Sequence, residues 1–186
     1  MPWTKEETIT TDEIIVDLYH CPICGSDDCV PPSYEQSDVL WIGESPGEEE
    51  VKRGKPFVGP TGRLVQAELS YLGLPMYTFR MCNLWIHPPP NNKKSEYYND
   101  CFEYSVKIVM NEAKDKKLVV LVGAETVKFF TGLKVSDWNG LLVKSNLLSN
   151  PYILALVHPA TAFKGSCGEM RFGLQRFAHY MEEIHE

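Results

Sequence analysis

Residues 39–47 read Val-Leu-Trp-Ile-Gly-Glu-Ser-Pro-Gly, and this stretch sets the fold class that we expect for the chain. The unbroken apolar run at 39–42 is typical of a strand buried on both faces of a parallel sheet. The run stops at Gly43, and the glycines and proline that follow predict a tight loop with an exposed backbone. Because ligands bind beyond the carboxyl ends of strands in open α/β sheets, we expect a binding site at this loop.

A second loop follows at residues 54–62, Gly-Lys-Pro-Phe-Val-Gly-Pro-Thr-Gly. We predict loop structure throughout residues 44–60, with Thr61 capping the helix that comes next. Phe57 should therefore overhang the same edge of the sheet as Glu44. A carboxylate and an aromatic ring held by Gly- and Pro-rich backbone are more typical of a site than of a connector.

Strand and helix patterns alternate along the rest of the chain. After the first strand we predict strands at 77–86, 118–123 and 152–157, and a hairpin or edge strand at 140–145. We predict helices at 61–71, 95–114, 124–131 and 168–184. The last helix should bury Phe172, Leu174, Phe177 and Tyr180. Before the first strand, we expect residues 1–19 to form a helix or extended arm that buries Ile14, Ile15, Val16 and Leu18. This alternation predicts a single α/β domain over residues 1–186, a three-layer α/β/α sandwich around a mainly parallel four-stranded sheet.

The composition is that of an ordinary globular protein. The 186 residues are 44% hydrophobic and 23% charged, and no apolar run approaches the length that spans a bilayer. The N-terminal sequence is acidic and polar, unlike a secretory signal. We therefore expect a cytoplasmic protein that does not enter a membrane, and we expect a monomer.

The net charge of −7 is distributed unevenly. Residues 1–50 contain one Lys and thirteen Asp or Glu, whereas residues 51–186 contain seventeen Lys or Arg and twelve Asp or Glu. An acidic N-terminal segment followed by a basic remainder of the chain fits a protein with one DNA-facing side. By charge alone, a solvated acidic N-terminal face explains the distribution equally well.

The acidic segment at 1–37 contains Cys21-Pro-Ile-Cys24-Gly, two thiols on a turn. In a cytosolic protein this spacing predicts half of a tetrahedral metal site rather than a disulfide. The other half must come from elsewhere in the chain. Cys29 is near in sequence, and Cys101 and His87 are the alternatives if the site ties the N-terminal segment to the body.

Polar residues stand where the predicted strands end. Glu44 follows the first strand, Asn83 lies within the second and His158 follows the fourth. Because the carboxyl ends of parallel strands share one edge, these side chains should converge there, beneath Phe57. A carboxylate, an amide, an imidazole and an overhanging aromatic ring form a pocket suited to a flat polar ring.

At these residues the chain resembles family 4 uracil-DNA glycosylases, which contain an iron–sulfur cluster. The stretch at 43–59, Gly-Glu-Ser-Pro-Gly followed by Pro-Phe-Val-Gly, is similar to the first motif of that family. The stretch at 83–92, which begins at Asn83 and contains three prolines, resembles the second. Leu121-Val-Gly-Ala resembles the family's Leu-Gly-Ala turn, and His158-Pro-Ala resembles its closing motif. The resemblance extends over nearly the whole chain from Cys21 and keeps the motifs in order.

The resemblance implies an enzyme that flips uracil out of DNA and hydrolyses the N-glycosidic bond, leaving an abasic site. Phe57 would stack on the base, and the Asn83 amide would donate to O4 and accept from N3–H. His158 would stabilise the uracilate leaving group at O2. Glu44 would position water or offset positive charge on the sugar, Gly47 would keep the backbone close to the base, and Glu50 would face C5 and exclude a methyl group.

The partner implied by the resemblance is uracil-containing DNA, single- or double-stranded. Basic side chains near the pocket should bind phosphates without reading sequence. The candidates are Lys52, Arg53, Lys93, Lys94 and Lys164, together with Lys55 and Arg63.

The resemblance also implies a [4Fe–4S] cluster. Cys21, Cys24 and Cys101 match three of the family's four cysteine ligands, but the remaining position is His87. Imidazole replaces thiolate in some iron–sulfur sites. Cys82 or Cys29 could instead supply the fourth ligand, and three Cys with one His is also a structural zinc set.

Alternative functions remain open at this stage. Ser45 and Val51 replace the Ala and Asp that are usual in the family, so the substrate could be another modified pyrimidine. A catalytically weak protein that binds uracil-DNA or a partner, and a zinc-tied α/β module without base chemistry, are the alternatives from other classes.

Overall fold

The computed structural model describes residues 18–89 and 100–185. Several predicted features lie outside these residues, namely the buried positions Ile14, Ile15 and Val16, the basic residues Lys93 and Lys94, and the first turn of the helix expected at 95–114. For the remainder of the chain, the fold is mixed α/β.

The central sheet has five strands in the order β2-β1-β3-β5-β4. Their bounds are β1 Val39–Gly43, β2 Arg80–Asn83, β3 Leu118–Val122, β4 Leu141–Leu142 and β5 Tyr152–Leu156. The strands β2, β1, β3 and β5 are parallel, and β4 pairs antiparallel with β5. The four predicted strands are thus confirmed, and the segment at 140–145 supplies a two-residue edge strand, so the count rises from four to five.

Six helices accompany the sheet within the described residues: α1 Glu48–Arg53, α2 Pro60–Tyr71, α3 Asp100–Ala113, α4 Ala124–Thr131, α5 Val135–Trp138 and α6 Cys167–His185. Short 3₁₀ turns occupy Met76–Thr78 and Pro159–Lys164. The prediction of loop structure throughout 44–60 is wrong, because α1 forms within it. Acidic residues fill the first turn of α1, basic residues fill the last, and Gly54 ends it in the left-handed conformation, a favourable arrangement for a short helix.

Side chains alternate between the two faces of the sheet. Along β1, Val39 and Trp41 point into one apolar cluster, and Leu40 and Ile42 point into the other. The first cluster includes residues of α2 and α6, and the second includes residues of α3 and α4. These two clusters are the interfaces of the predicted three-layer sandwich. Phe172, expected in the core, is half exposed because it lies on the outer side of α6.

The segment that contains the Cys-x-x-Cys turn covers the outer edge of β2. The Val30 N–H donates to the Ile86 carbonyl at 2.7 Å, and the Ser33 N–H donates to the Met81 carbonyl at 2.8 Å. These bonds attach the N-terminal segment to the strand that leads into His87. Among the described residues, no helix is both long and apolar enough to cross a membrane.

Candidate active site and metal centre

Polar residues and glycines occupy the carboxyl edge of the sheet. Asn83 ends β2 and pairs with Gly43 at the end of β1, Gly123 directly follows β3, and His158 follows β5. Glu44 continues from Gly43, and its carbonyl accepts a hydrogen bond from the Trp85 N–H at 2.9 Å. The topology therefore brings the predicted residues to one edge of the sheet, as expected from parallel strands.

Gly43 allows the side chains of Asn83 and Phe57 to approach the end of β1. A Cβ atom at this position would lie 2.4 Å from Asn83 Oδ1 and 3.0 Å from Phe57 Cζ. The Asn83 amide and the Phe57 ring therefore both lie directly against the Gly43 backbone. This contact confirms that Phe57 overhangs the end of β1.

Phe57 is held in an unusual backbone conformation. Its φ angle is +58°, in the left-handed region that costs a residue with a side chain about 1–2 kcal/mol. Gly62, in the first turn of α2, makes room for this conformation, because a Cβ at this position would lie 2.0 Å from the Phe57 carbonyl oxygen. The ring contacts Trp41 edge-on, with centroids 6.5 Å apart. Strain at a half-buried aromatic residue is typical of functional sites.

The Asn83 amide is buried, with 8% of the residue exposed. Its Nδ2 group has no hydrogen-bond partner among the described residues. A buried donor without a partner costs about 1–3 kcal/mol, so such groups in native proteins usually await a ligand or water. Asn83 therefore presents an unused donor at the centre of the predicted pocket.

The His158 ring has a defined tautomer in its neutral form. Its Nδ1 atom accepts a hydrogen bond from the Ala160 N–H at 3.1 Å, at the start of the 3₁₀ turn. A neutral imidazole that accepts at Nδ1 carries its proton on Nε2. The ring packs against Gly123, where a Cβ would lie 3.3 Å from His158 Cδ2. His158 is thus prepared to donate a hydrogen bond from Nε2.

The Glu50 carboxylate is bound by backbone N–H groups of both site loops. It is buried on α1, where Oε2 accepts from the Gly47 N–H at 3.2 Å and Oε1 accepts from the Gly59 N–H at 2.6 Å. Both carboxylate oxygens therefore contact backbone of the two site loops. Gly47 itself is exposed at the start of α1. This geometry favours a role for Glu50 in holding the loops together.

The predicted phosphate-binding side chains are exposed where they are described. Lys52 and Arg53 lie in the last turn of α1, and both pair with Glu49, at 3.5 and 3.3 Å. Lys164 is exposed at the end of the 3₁₀ turn that begins after His158. Lys93 and Lys94 lie outside the described residues.

Sequence reasoning missed one exposed aromatic residue near this edge. Phe163 precedes Lys164 in the turn that follows His158, and 63% of it is exposed. A large apolar side chain held in solvent by an ordered turn indicates a contact surface. The sequence signal was the aromatic residue beside a lysine immediately downstream of the His-Pro-Ala motif.

The predicted metal ligands come together where the N-terminal segment, the loop after β2 and α3 meet. The ligand atoms of Cys21, Cys24, His87 and Cys101 all lie within 4.8 Å of one another. The Cys21 and Cys101 sulfurs are 3.9 Å apart, and Cys24 Sγ is 3.5 Å from His87 Nε2. The geometry selects His87 over Cys29 and Cys82 as the fourth member, and it joins the N-terminal segment to α3.

His87 is oriented for coordination through Nε2. It is 2% exposed, and its Nδ1 atom lies 3.0 Å from the Pro88 carbonyl oxygen. Because a carbonyl only accepts, this contact places the proton on Nδ1 and leaves the Nε2 lone pair facing Cys24. A hydrogen bond from the second ring nitrogen is the usual companion of metal-bound histidine.

The two buried thiols differ in acidity. Burial raises the pKa of the Cys101 thiol to about 12, and hydrogen bonding with Cys24 contributes in the same direction. Burial also opposes ionisation of Cys21, but hydrogen bonds from the backbone of Cys24 and Ile23 outweigh it and lower that pKa to about 7. A metal ion must therefore displace a proton that Cys101 holds firmly.

Ser105 connects two ligand segments. Its hydroxyl donates to the Cys101 carbonyl at 2.9 Å and accepts from the Ile86 N–H at 3.1 Å. The serine is buried on α3, one turn after Cys101, and Ile86 immediately precedes His87. It fixes the spacing between the helix ligand and the histidine ligand, a role that sequence reasoning did not assign.

The donor set fits a metal centre. Three thiolates and one imidazole suit either zinc or an iron–sulfur cluster. A single tetrahedral ion with metal–sulfur bonds of about 2.3 Å separates its sulfur ligands by about 3.8 Å, close to the spacing here. A four-iron cluster is larger than one ion and requires the ligands to move apart, which the exposed turn at Cys24 permits.

Comparisons with known proteins agree with the site. Residues 31–183 match the sequence profile of the Uracil DNA glycosylase superfamily. The chain is 28% identical over 134 residues to a Type-4 uracil-DNA glycosylase of Thermotoga maritima, covering 72% of this chain and 70% of that protein. It is 29% identical over 129 residues to one of Archaeoglobus fulgidus (66% and 64%), and 26% identical over 162 residues to one of Pyrobaculum aerophilum (82% and 82%). Because the profile match extends from before β1 into α6, this chain belongs to the Uracil DNA glycosylase superfamily.

Proposed function

We propose that this chain is a DNA glycosylase that excises uracil and leaves an abasic site. The observation that carries the proposal is the convergence of Asn83 and Phe57 on Gly43, together with the buried Asn83 Nδ2 donor, which has no hydrogen-bond partner among the described residues. Membership of the superfamily and similarity to several proteins named Type-4 uracil-DNA glycosylase support the same activity.

The Asn83 amide provides base selectivity. Uracil presents an acceptor at O4 and a donor at N3, which match the amide NH₂ and carbonyl oxygen. Cytosine presents a donor at N4 and an acceptor at N3, so both contacts become repulsive. A buried site that must hydrogen-bond its substrate rejects such an analogue strongly, because its own polar groups are then left unpaired. Phe57 adds stacking energy that does not depend on the edge of the base.

Cleavage breaks the bond between C1′ of the sugar and N1 of uracil. The bonding electrons leave with the base, and negative charge develops at N1 and O2. The His158 Nε2–H is the donor for O2, and the Ala160 N–H keeps the ring in that tautomer. Glu44, at the end of β1, orients the water that attacks C1′ or offsets the positive charge on the sugar.

Extrusion of the base from the helix costs a few kcal/mol, which contacts with DNA must offset. Phe163 is suited to enter the stack where the base has left, since apolar side chains inserted between base steps stabilise distorted DNA. Lys164 lies beside it and would neutralise a phosphate, as would Lys52 and Arg53 on α1.

A second candidate substrate class is a uracil that is modified at C5. Ser45 and Val51 stand where the family usually has Ala and Asp, and they flank the stretch that contains Gly47 and Glu50. Excision assays on uracil and on C5-substituted pyrimidines, each in the same oligonucleotide, separate the two candidates.

For the metal centre we propose a [4Fe–4S] cluster held by Cys21, Cys24, His87 and Cys101. The family resemblance supports the cluster, and the ligand spacing supports zinc as the alternative. In either case the group would tie the N-terminal segment to α3 and supply no step of base excision. Iron and sulfide analysis of brown protein purified without oxygen supports the cluster, whereas colourless protein with one zinc per chain supports the alternative.

The activity is tested with a uracil-containing oligonucleotide. Excision leaves an alkali-labile abasic site, and the His158→Ala variant provides the background. A wild-type protein that produces no such sites above this background would refute uracil excision. Tight uracil-DNA binding without turnover, unchanged in Glu44→Ala, would instead support a non-catalytic binder.

A further inference from the structure

Glu50 connects two helix N-termini through one carboxylate. Its Oε2 atom accepts from the N–H of Gly47, the residue that caps α1, and its Oε1 atom accepts from the N–H of Gly59, which caps α2. Backbone N–H groups at helix N-termini lack partners within the helix and favour a negative charge. Such bonds to an ionised acceptor are about twice as strong as neutral ones.

Both glycines are needed for this approach. A Cβ at Gly47 would lie 2.8 Å from Glu50 Oε2, and a Cβ at Gly59 would lie 2.9 Å from each carboxylate oxygen. Neither glycine has a positive φ angle; Gly59 is extended, with φ −74° and ψ −175°. The backbone at Gly59 therefore accepts any residue, and only the carboxylate excludes a side chain there.

The two capped loops contain different parts of the site. Glu44 precedes Gly47 in the first loop, and Phe57 precedes Gly59 in the second. Phe57 is strained, so its ring needs an external constraint to remain over the pocket. Asn83 instead ends β2, and His158 follows β5.

We propose that Glu50 is a positioning residue that fixes the Phe57 loop against the Glu44 loop, and thereby sets the height of the aromatic ring above the extruded base. This inference rests on the proposed function for the identity of the base. It differs from a direct contact with C5, because Glu50 acts through the backbone of Gly59 and does not touch the substrate.

The first test is hydrogen–deuterium exchange of the full-length, metal-loaded protein. Glu50→Gln keeps the size of the side chain but turns an NH₂ group toward one of the two N–H donors. We expect amide exchange within residues 57–63 to accelerate by about tenfold or more, with strands β1 and β3 unchanged. Glu48→Gln, an exposed change of the same charge on the same helix, is the matched control and should exchange like the wild type.

The second test measures kinetics on a uracil-containing oligonucleotide. Glu50→Gln should raise KM by about 10- to 100-fold while kcat changes much less, because stacking is weakened but His158 is untouched. Partial unfolding would lower kcat per total protein and leave KM unchanged. Gly59→Ala should reproduce the KM effect by displacing the carboxylate, and the double variant should be no worse than either single one.

Four outcomes overturn the proposal. The first is wild-type exchange at 57–63 in Glu50→Gln. The second is faster exchange with an unchanged KM, which would show that Glu50 joins the loops but that substrate binding does not depend on this connection. The third is additive effects in the double variant. If Glu50→Ala gains excision of thymine without altered exchange, Glu50 instead faces C5. A wild-type protein that excises no base refutes the proposed function, and the exchange test still decides whether Glu50 joins the loops.

Discussion

Replacement of Gly43 by Ala tests the geometry of the pocket most directly. Gly43 ends β1, where the backbone accepts alanine without strain, so the change adds one methyl group and nothing else. That methyl would lie 2.4 Å from Asn83 Oδ1, whereas ordinary contact begins at 3.4 Å. The amide must therefore retreat by about 1 Å, and the Phe57 ring by a few tenths of an ångström.

A displacement of this size has a calculable effect on catalysis. Misplacement of a positioning group by about 1 Å costs on the order of 100-fold in rate, equivalent to about 2.7 kcal/mol of transition-state stabilisation. Overpacking of the strand end should also cost about 1–3 kcal/mol of folding stability. We expect kcat/KM for uracil excision to fall by about 100-fold, with Tm lowered by a few degrees.

The assay is single-turnover excision from a uracil-containing oligonucleotide, with circular dichroism to verify folding. Gly168→Ala is the matched control, because a Cβ at this position in α6 meets nothing within 4 Å. That variant should be as active as the wild type and equally or more stable. If folded Gly43→Ala protein retains kcat/KM within about threefold of the wild type, Asn83 does not read the base from this position and the reasoning fails.

Four further predictions concern the base, the leaving group and the metal. Asn83→Asp replaces the amide donor with an acceptor, so the ratio of uracil excision to cytosine excision in matched oligonucleotides should fall by at least about 100-fold. An unchanged ratio would contradict base reading by Asn83. His158→Ala should lower kcat by about 10²- to 10³-fold with little change in KM, and a loss confined to KM would argue against stabilisation of the leaving group. Ser105→Ala leaves the Ile86 N–H without its acceptor, at a cost of about 1–3 kcal/mol. Elemental analysis should therefore find less metal per chain. Full metal occupancy would show that Ser105 does not order the ligands. Metal affinity should also rise with pH in chelator competition, since binding must remove the proton that burial holds on Cys101, whose pKa is about 12 without metal; a flat profile would contradict this.

Several elements were predictable because local pattern and tertiary packing agree. The strands β1, β3 and β5 are continuous apolar runs, and the helix at 124–131 was predicted with its observed bounds. Each run is too apolar to remain in solvent, so burial on both faces of a parallel sheet follows from composition. The predicted strand at 77–86 was too long because its aromatic and apolar residues continue into a 3₁₀ turn and a loop that are also buried. Burial alone does not distinguish a strand from a packed turn.

The short elements were not predictable for a physical reason. Helix α1 has six residues, too few to be stable alone, and it forms because the Glu50 carboxylate and the left-handed Gly54 satisfy its ends. The exposure of Phe172 was missed because helical spacing identifies an apolar stripe but not its width. The neighbouring Met170 and Leu174 cover the sheet instead.

The sequence alone determined the fold class, the superfamily motifs and the set of chemical groups at the site. It did so because strand patterning and motif order are local properties of the chain. Only the tertiary structure decided that His87 joins the three cysteines, that Asn83 and Phe57 both approach Gly43, and that Glu50 binds two backbone loops. These are contacts between residues distant in sequence or on different loops. Their distances depend on strand order and on the absence of particular Cβ atoms, which no local pattern specifies.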